Sequence, residues 1–117
     1  MKLAVIIPVY NAENTIRKAV KSIDTTHDVE IICINDGSTD GTKQVLTELQ
    51  KEVKHLIVYH QDNQGAAKSR NIGLSAMSDD IDAFMFLDAD DQFLPGKMDQ
   101  MIQYYEKNNH LDIVIGQ

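Results

Sequence analysis

Apolar residues along this chain gather into short, near-continuous runs separated by longer amphipathic stretches. Leu3-Ala-Val-Ile-Ile7, Glu30-Ile-Ile-Cys-Ile34, Leu56-Ile-Val-Tyr59 and Ala83-Phe-Met-Phe-Leu87 have strand length, and Asp112-Ile-Val-Ile115 makes a fifth. Runs without polar alternation predict strands buried on both faces. Between them the period changes. Ile16, Ala19, Val20 and Ile23 fall at i, i+3, i+4 and i+7, with Arg17, Lys18 and Lys21 on the opposite side. Val45, Leu46, Leu49 and Val53 repeat the pattern behind the N-cap candidates Ser38-Thr-Asp40, and Met98, Met101, Ile102 and Tyr105 do so after Pro95. A shorter helix is predicted over Ala66–Ala76, between Gly65 and Ser78-Asp-Asp80.

Strand and helix thus alternate throughout, which predicts an α/β fold: a mostly parallel sheet, right-handed crossovers and helices on both faces. No internal repeat, low-complexity tract or linker divides the sequence, so residues 1–117 read as one domain. The fifth run has no closing helix behind it, which reads as a cut inside a larger polypeptide.

Composition narrows the function classes. A formal net charge of −7 opposes general affinity for nucleic acid or anionic membrane, both of which need basic surface. Cys33 is the only cysteine and sits inside an apolar run, where it reads as a small buried hydrophobe in a reducing compartment. The apolar start is interrupted by Pro8 and lacks a small-residue cleavage pattern, and no run has the length of a membrane span. A cytoplasmic location is expected, with membrane association through parts outside this sequence left open.

In an open α/β sheet, ligands bind beyond the carboxyl ends of the strands. The segments directly behind the first four runs are therefore the places to look for function: Pro8-Val-Tyr-Asn11, Asn35-Asp-Gly-Ser-Thr-Asp-Gly41, His60-Gln-Asp-Asn-Gln-Gly65 and Asp88-Ala-Asp-Asp91. Asp88 and Asp90, one residue apart in an extended segment, would point the same way and share a cation. Capping of the following helix would explain one of the three acids, not all. Oxygen-only ligands suit Mg²⁺ or Mn²⁺. Asp36 reads either as part of an ordinary strand-to-helix connection or as an acceptor for a base N–H or a ribose hydroxyl. Ser38, Thr39 and Asp40 read as capping residues. Gly65, Ala66, Ala67 and Ser69 would let backbone approach a ligand closely. Lys68 reads as solvated surface, whereas Arg70 suits diphosphate recognition. Tyr10 could stack on a base. His27, His55, His60 and His110 show no metal-ligand spacing and receive no role.

Taken together, Val5-Ile-Ile-Pro-Val-Tyr-Asn11, Asn35-Asp-Gly-Ser-Thr-Asp-Gly-Thr42, Asn63-Gln-Gly-Ala-Ala-Lys-Ser-Arg-Asn-Ile-Gly73 and Phe86-Leu-Asp-Ala-Asp-Asp91 closely resemble the N-terminal half of an inverting family 2 glycosyltransferase. The motifs occur in family order and cover essentially the whole chain. The resemblance implies a Rossmann-like nucleotide-diphospho-sugar domain of GT-A type. It implies that Tyr10 stacks on the base, with Pro8 and Asn11 in the same binding turn, and that Asp36 bonds the base, usually uracil. Asp88 would lie near ribose and metal, Asp90 would ligate the Mn²⁺ or Mg²⁺ bridging the diphosphate, and Arg70 would hold the pyrophosphate side. The donor would be a UDP-sugar and the acceptor a saccharide or lipid-linked molecule of cell-surface polysaccharide assembly. Asn35 departs from the further Asp found in many members. The family's catalytic base lies beyond the Asp-Ala-Asp motif, in the acceptor-binding half, so no residue of this chain is assigned that role.

Other readings fit less well. A non-catalytic nucleotide-sugar-binding module stays open, since every assigned residue serves the donor. A receiver-like signalling domain would carry an acidic pair after the first strand and an acceptor Asp after the third, where Pro8-Val-Tyr-Asn11 and His60-Gln-Asp62 stand instead. A nucleotidyltransferase would want a Gly-rich basic loop after strand one.

Overall fold

The computed structural model describes residues 1–108. Its elements are β1 (Leu3–Val9), α1 (Ile16–Lys21), β2 (Val29–Asp36), α2 (Thr42–Glu52), β3 (Leu56–Gln61), α3 (Ala66–Ala76), β4 (Ala83–Phe86) and α4 (Lys97–Asn108). The strands form one parallel sheet in the order β3-β2-β1-β4. This is the α/β arrangement that the alternating pattern predicts. The fifth strand expected over residues 112–115 lies outside the described residues.

Burial on both faces explains the unbroken apolar runs of β1 and β2. At the sheet edge β3 is only part-buried, with Tyr59 exposed, and β4 alternates buried with half-buried residues. Leu3, Val5, Ile7, Ile31 and Cys33 pack on one side with Ile16, Ala19, Val20, Leu46, Leu49, Met98 and Ile102 of α1, α2 and α4. The alternate residues Ala4, Ile6, Ile32 and Ile34 are equally buried, and α3 packs against their strands. Its Gly73 meets Ile6 so closely that an added Cβ would stand 2.3 Å from Ile6 Cγ2. Cys33 is fully enclosed, and burial pushes its thiol up to about 12, so it is an inert core residue.

Two strands run further than their apolar cores suggest. Polar Asn35 and Asp36 end β2 rather than begin a loop, because they pair in register with His60 and Gln61 of β3. Pro8 lies inside β1. The Ile6 carbonyl accepts from the Leu87 N–H at 3.0 Å, so Pro8, of the same parity, turns its missing donor toward β4. The β1–β4 ladder ends at Ile6–Phe86, and there the absent N–H costs nothing.

After β1 the chain moves outward to β2 and β3, then returns to the other side of β1 as β4. The strand order therefore reverses between β1 and β4. That reversal opens a crevice beyond their carboxyl ends, next to Tyr10 and Asp88.

Candidate functional site

Beyond β1, a cavity of about 250 Å³ is lined by Pro8, Val9, Tyr10, Asp36, Asn63, Gly65, Ala66 and Ser69. Of the residues that sequence singled out, it gathers Pro8, Tyr10 and Asp36 with the small residues opening α3. Drug-sized ligands occupy roughly 300–1,000 Å³, so this volume suits a planar ring rather than a whole nucleotide. Tyr10, one of its lining residues, is 52% exposed.

Asp36 is 4% exposed, and its carboxylate is already engaged. Oδ1 accepts from Gln61 Nε2 at 2.9 Å and the Gln64 N–H at 2.7 Å, and Oδ2 accepts from the Gly65 N–H at 3.0 Å. Burial alone would raise its pKa, but these three bonds outweigh burial and hold the carboxyl below its ordinary value. Asp36 therefore anchors the loop before α3. A carboxylate has about four lone-pair sites, so among the described residues these three bonds leave one acceptor position unused. Gly37 completes the junction: its φ is +69°, and a Cβ would meet the Asn63 backbone nitrogen at 2.6 Å.

Asn11 does not line the cavity but closes the turn after Tyr10. Its φ of +47° is uncommon for a non-glycine residue. Its side-chain Oδ1 accepts from the Thr39 N–H at 2.8 Å, and its own N–H donates to Ser38 Oγ at 3.0 Å. None of the three capping candidates is the N-cap of α2, which falls on Gly41 without a side-chain cap bond; Asp40, just before it, accepts from the Thr42 N–H at 3.0 Å.

The acids after β4 meet as the sequence suggests, by a different geometry. The segment is not extended. The Asp91 N–H donates to the Asp88 carbonyl at 3.0 Å, closing a turn through Ala89 and Asp90. Half-buried Ala89 packs against the core, and the turn brings Asp91 into the group. Carboxylate oxygens of Asp88, Asp90 and Asp91 lie within 4.8 Å of one another. Burial, then the charges of Asp91 and Asp90, raise the Asp88 pKa, and Arg70 partly offsets them. An all-carboxylate set under such repulsion fits a hard divalent cation such as Mg²⁺ or Mn²⁺.

Arg70 joins the two places. It adjoins Ser69, which lines the cavity, its charge acts on Asp88, and its guanidinium carbon lies 5.9 Å from the Phe86 ring centroid. Base-sized cavity, cationic side chain and acid group thus share one rim.

The Glycosyl transferase family 2 model matches residues 4–117. The chain belongs to that family. It is 40% identical over 121 residues to a putative glycosyltransferase TagX of Staphylococcus aureus strain MRSA252, covering 100% of this chain and 34% of the relative. An uncharacterized glycosyltransferase of Nostoc sp., alr2836, is 35% identical over 125 residues, covering 99% of this chain and 38% of its own length. Among solved structures, S. aureus TarS 1–349 superimposes with a TM-score of 0.80 and 26% identity over 93% of this chain and 33% of that one. The same TarS piece in complex with UDP gives a TM-score of 0.80 at 25% identity. The chain therefore spans about a third of the length of the curated relatives it matches.

Sequence reasoning missed several residues of this candidate site. Gln61 and Gln64 hold Asp36 in place, and Asn63 Nδ2 donates to the Asp36 carbonyl at 3.1 Å. Their signal was the register of β2 against β3, which the sequence does not display. The small residues before and in α3 divide into two groups. Gly65, Ala66 and Ser69 border the cavity, while Gly73 serves close packing on β1. One histidine passed over also acquires partners: His27 bonds Asp99 through Nε2 and lies 3.7 Å from Asp24 Oδ2, tying the segment after α1 to α4. Among the described residues no helix is long and apolar enough to cross a membrane.

Proposed function

We propose that this chain is the donor-binding part of a glycosyltransferase that moves a sugar from a nucleotide-diphospho-sugar, a UDP-sugar, to an acceptor hydroxyl with inversion. The observation that carries it is the shared rim, where a ring-sized cavity and a three-carboxylate group are joined through Arg70. The likeness to TarS, solved with UDP, favours uracil in that cavity. Tyr10 gives the base a stacking face, and the free acceptor position of Asp36 takes an N–H from its edge. Arg70 draws the diphosphate toward the acid group and offsets part of the negative charge gathered there.

Asp90 and Asp88, with Asp91 beside them, would hold Mn²⁺ or Mg²⁺, which supplies Lewis-acid neutralisation of the departing nucleoside diphosphate. The acceptor is a saccharide or a lipid-linked molecule, and the reaction runs in the cytoplasm, where the reduced Cys33 is at home. General-base activation of the acceptor is required in the intact protein and is assigned to none of the described residues.

Titration calorimetry tests the reading. UDP is expected to bind, and more tightly with Mn²⁺ or Mg²⁺ than in excess chelator. Equal affinity in chelator removes the metal from the proposal. Binding of GDP in place of UDP removes only the base assignment. No binding of any nucleoside diphosphate sinks the donor reading.

A further inference from the structure

We propose that His60 is a positioning residue for the turn that presents Tyr10: its neutral ring fixes the Asn35 amide, and protonating that ring releases the turn and weakens nucleotide binding. The proposal rests on the nucleotide reading of the Tyr10 cavity and adds to it a means of control.

A chain of hydrogen bonds links His60 to Asn11. His60 Nδ1 lies 3.0 Å from Asn35 Nδ2, its register partner on β2. Asn35 Oδ1 faces Ser38 Oγ at 2.6 Å, and Ser38 Oγ faces the Asn11 N–H at 3.0 Å. A backbone N–H can only donate and an amide oxygen can only accept, so Ser38 Oγ accepts from Asn11 and gives its own proton to Asn35 Oδ1. Asn35 then presents N–H to His60. Nδ1 must be a bare acceptor, and the neutral ring carries its proton on Nε2. The far end of the chain is Asn11, whose positive φ is sustained by its bonds to Ser38 and Thr39.

A protonated His60 breaks this order. Nδ1–H would then point at the Asn35 N–H, donor against donor. Rotation of the amide relieves the clash but sets its NH₂ against Ser38 Oγ, which loses the acceptor for its proton. The arrangement is therefore two-state, and the charge on one imidazole selects the state.

The groups around His60 favour the neutral form. From β2 it faces the uncharged Asn35 amide; from α2 the charge of Lys43 acts on it. Burial first, and Lys43 second, lower its pKa. The side chain is exposed as a whole, yet its Nδ1 edge turns inward to Asn35. The switch belongs below the ordinary imidazole value of about 6.5.

Nitrogen NMR of the chain between pH 8 and 5, with Mg²⁺–UDP affinities over the same range, tests this. Expected is the Nε2–H tautomer at pH 8, and an Asn11 amide that shifts with the midpoint of the His60 ring. UDP affinity should fall about fivefold on the acid side, the worth of one ordinary hydrogen bond. His60→Gln, which keeps an acceptor for Asn35 without a titrating ring, should bind UDP like the parent at pH 8. Its profile should retain only the titration of the ligand itself. An Nδ1–H tautomer at pH 8, an Asn11 amide indifferent to the His60 midpoint, or an unchanged profile in His60→Gln would each overturn the proposal. Absence of UDP binding at every pH also overturns it along with the donor reading, whereas an intact donor site with a silent His60 overturns it alone.

Discussion

Asp88 and Asp36, each at a strand end, show opposite electrostatics. Asp88 is crowded by burial and by two neighbouring acids, so its folded pKa lies above the ordinary 3.8. In the window above 3.8 the folded state holds more protons than the unfolded one, and stability falls as pH rises through it. Asp88→Asn should therefore raise the melting temperature of the metal-free chain at pH 7 and flatten this part of its pH profile. Asp36 has the reverse sign: its pKa is lowered, so its contribution is present above the ordinary carboxyl value and lost as pH falls. Asp36→Asn keeps a single acceptor oxygen for three donors, and urea unfolding should show a loss of about 1–3 kcal/mol, the cost of buried donors left unpaired. Exposed Asp90 makes no such structural bond among the described residues. Asp90→Ala should leave the circular dichroism unchanged and abolish the effect of Mn²⁺ on UDP affinity; unfolding, or normal metal linkage, would assign it a structural role. Motif spacing made these acids visible as candidates. It left the role of Asp36 open because its partners lie 25–29 residues away and are chosen by strand pairing.

Elements were most legible where one force decides them. The α3 bounds come from its flanking Gly65 and its small, helix-compatible residues, and they match the sequence reading. The strands were under-read at their polar ends, since pairing of Asn35 with His60 and of Asp36 with Gln61 extends a ladder that hydrophobicity alone would stop. The acid loop was misread as extended because the bond from the Asp91 N–H to the Asp88 carbonyl leaves no trace in a composition pattern. A test at this scale lies in α3. Gly73→Ala would improve intrinsic helix propensity by about 1 kcal/mol, yet its methyl would press on Ile6 Cγ2 at 2.3 Å. Ile6 is fully buried in β1 and has little room to yield. Overpacking of this kind costs about 1–3 kcal/mol, so a net loss of stability is expected, with α3 and the cavity it borders displaced together. A stabilised Gly73→Ala would show that α3 is not held against β1 so closely.

On the scale of the whole molecule, an acidic chain gathers the cavity, Arg70 and the acid group, the proposed donor site, on one rim of its sheet. Transfer needs more than this rim. A leaving nucleoside diphosphate has to be stabilised, and an acceptor hydroxyl has to be aligned and deprotonated. In the proposed reading, Tyr10, Asp36, Arg70 and the acids of the 88–91 turn would all bear on the donor side of that reaction. General-base assistance alone contributes about 10²–10⁴-fold in rate, and positioning of two reactants supplies roughly 7–11 kcal/mol of a barrier. Family 2 relatives are much longer, the match covering 34% of TagX. Residues 1–117 on their own should therefore bind a UDP-sugar and transfer its sugar at a negligible rate, with slow donor hydrolysis at most, whereas a chain of the relatives' length should transfer it. Radiolabelled donor with a mixed acceptor panel, short chain against long, provides the measurement. Robust transfer by residues 1–117 would mean that a base stands within them, and Asp91, half-buried in the acid turn two residues beyond Ala89, is the first to replace with Asn.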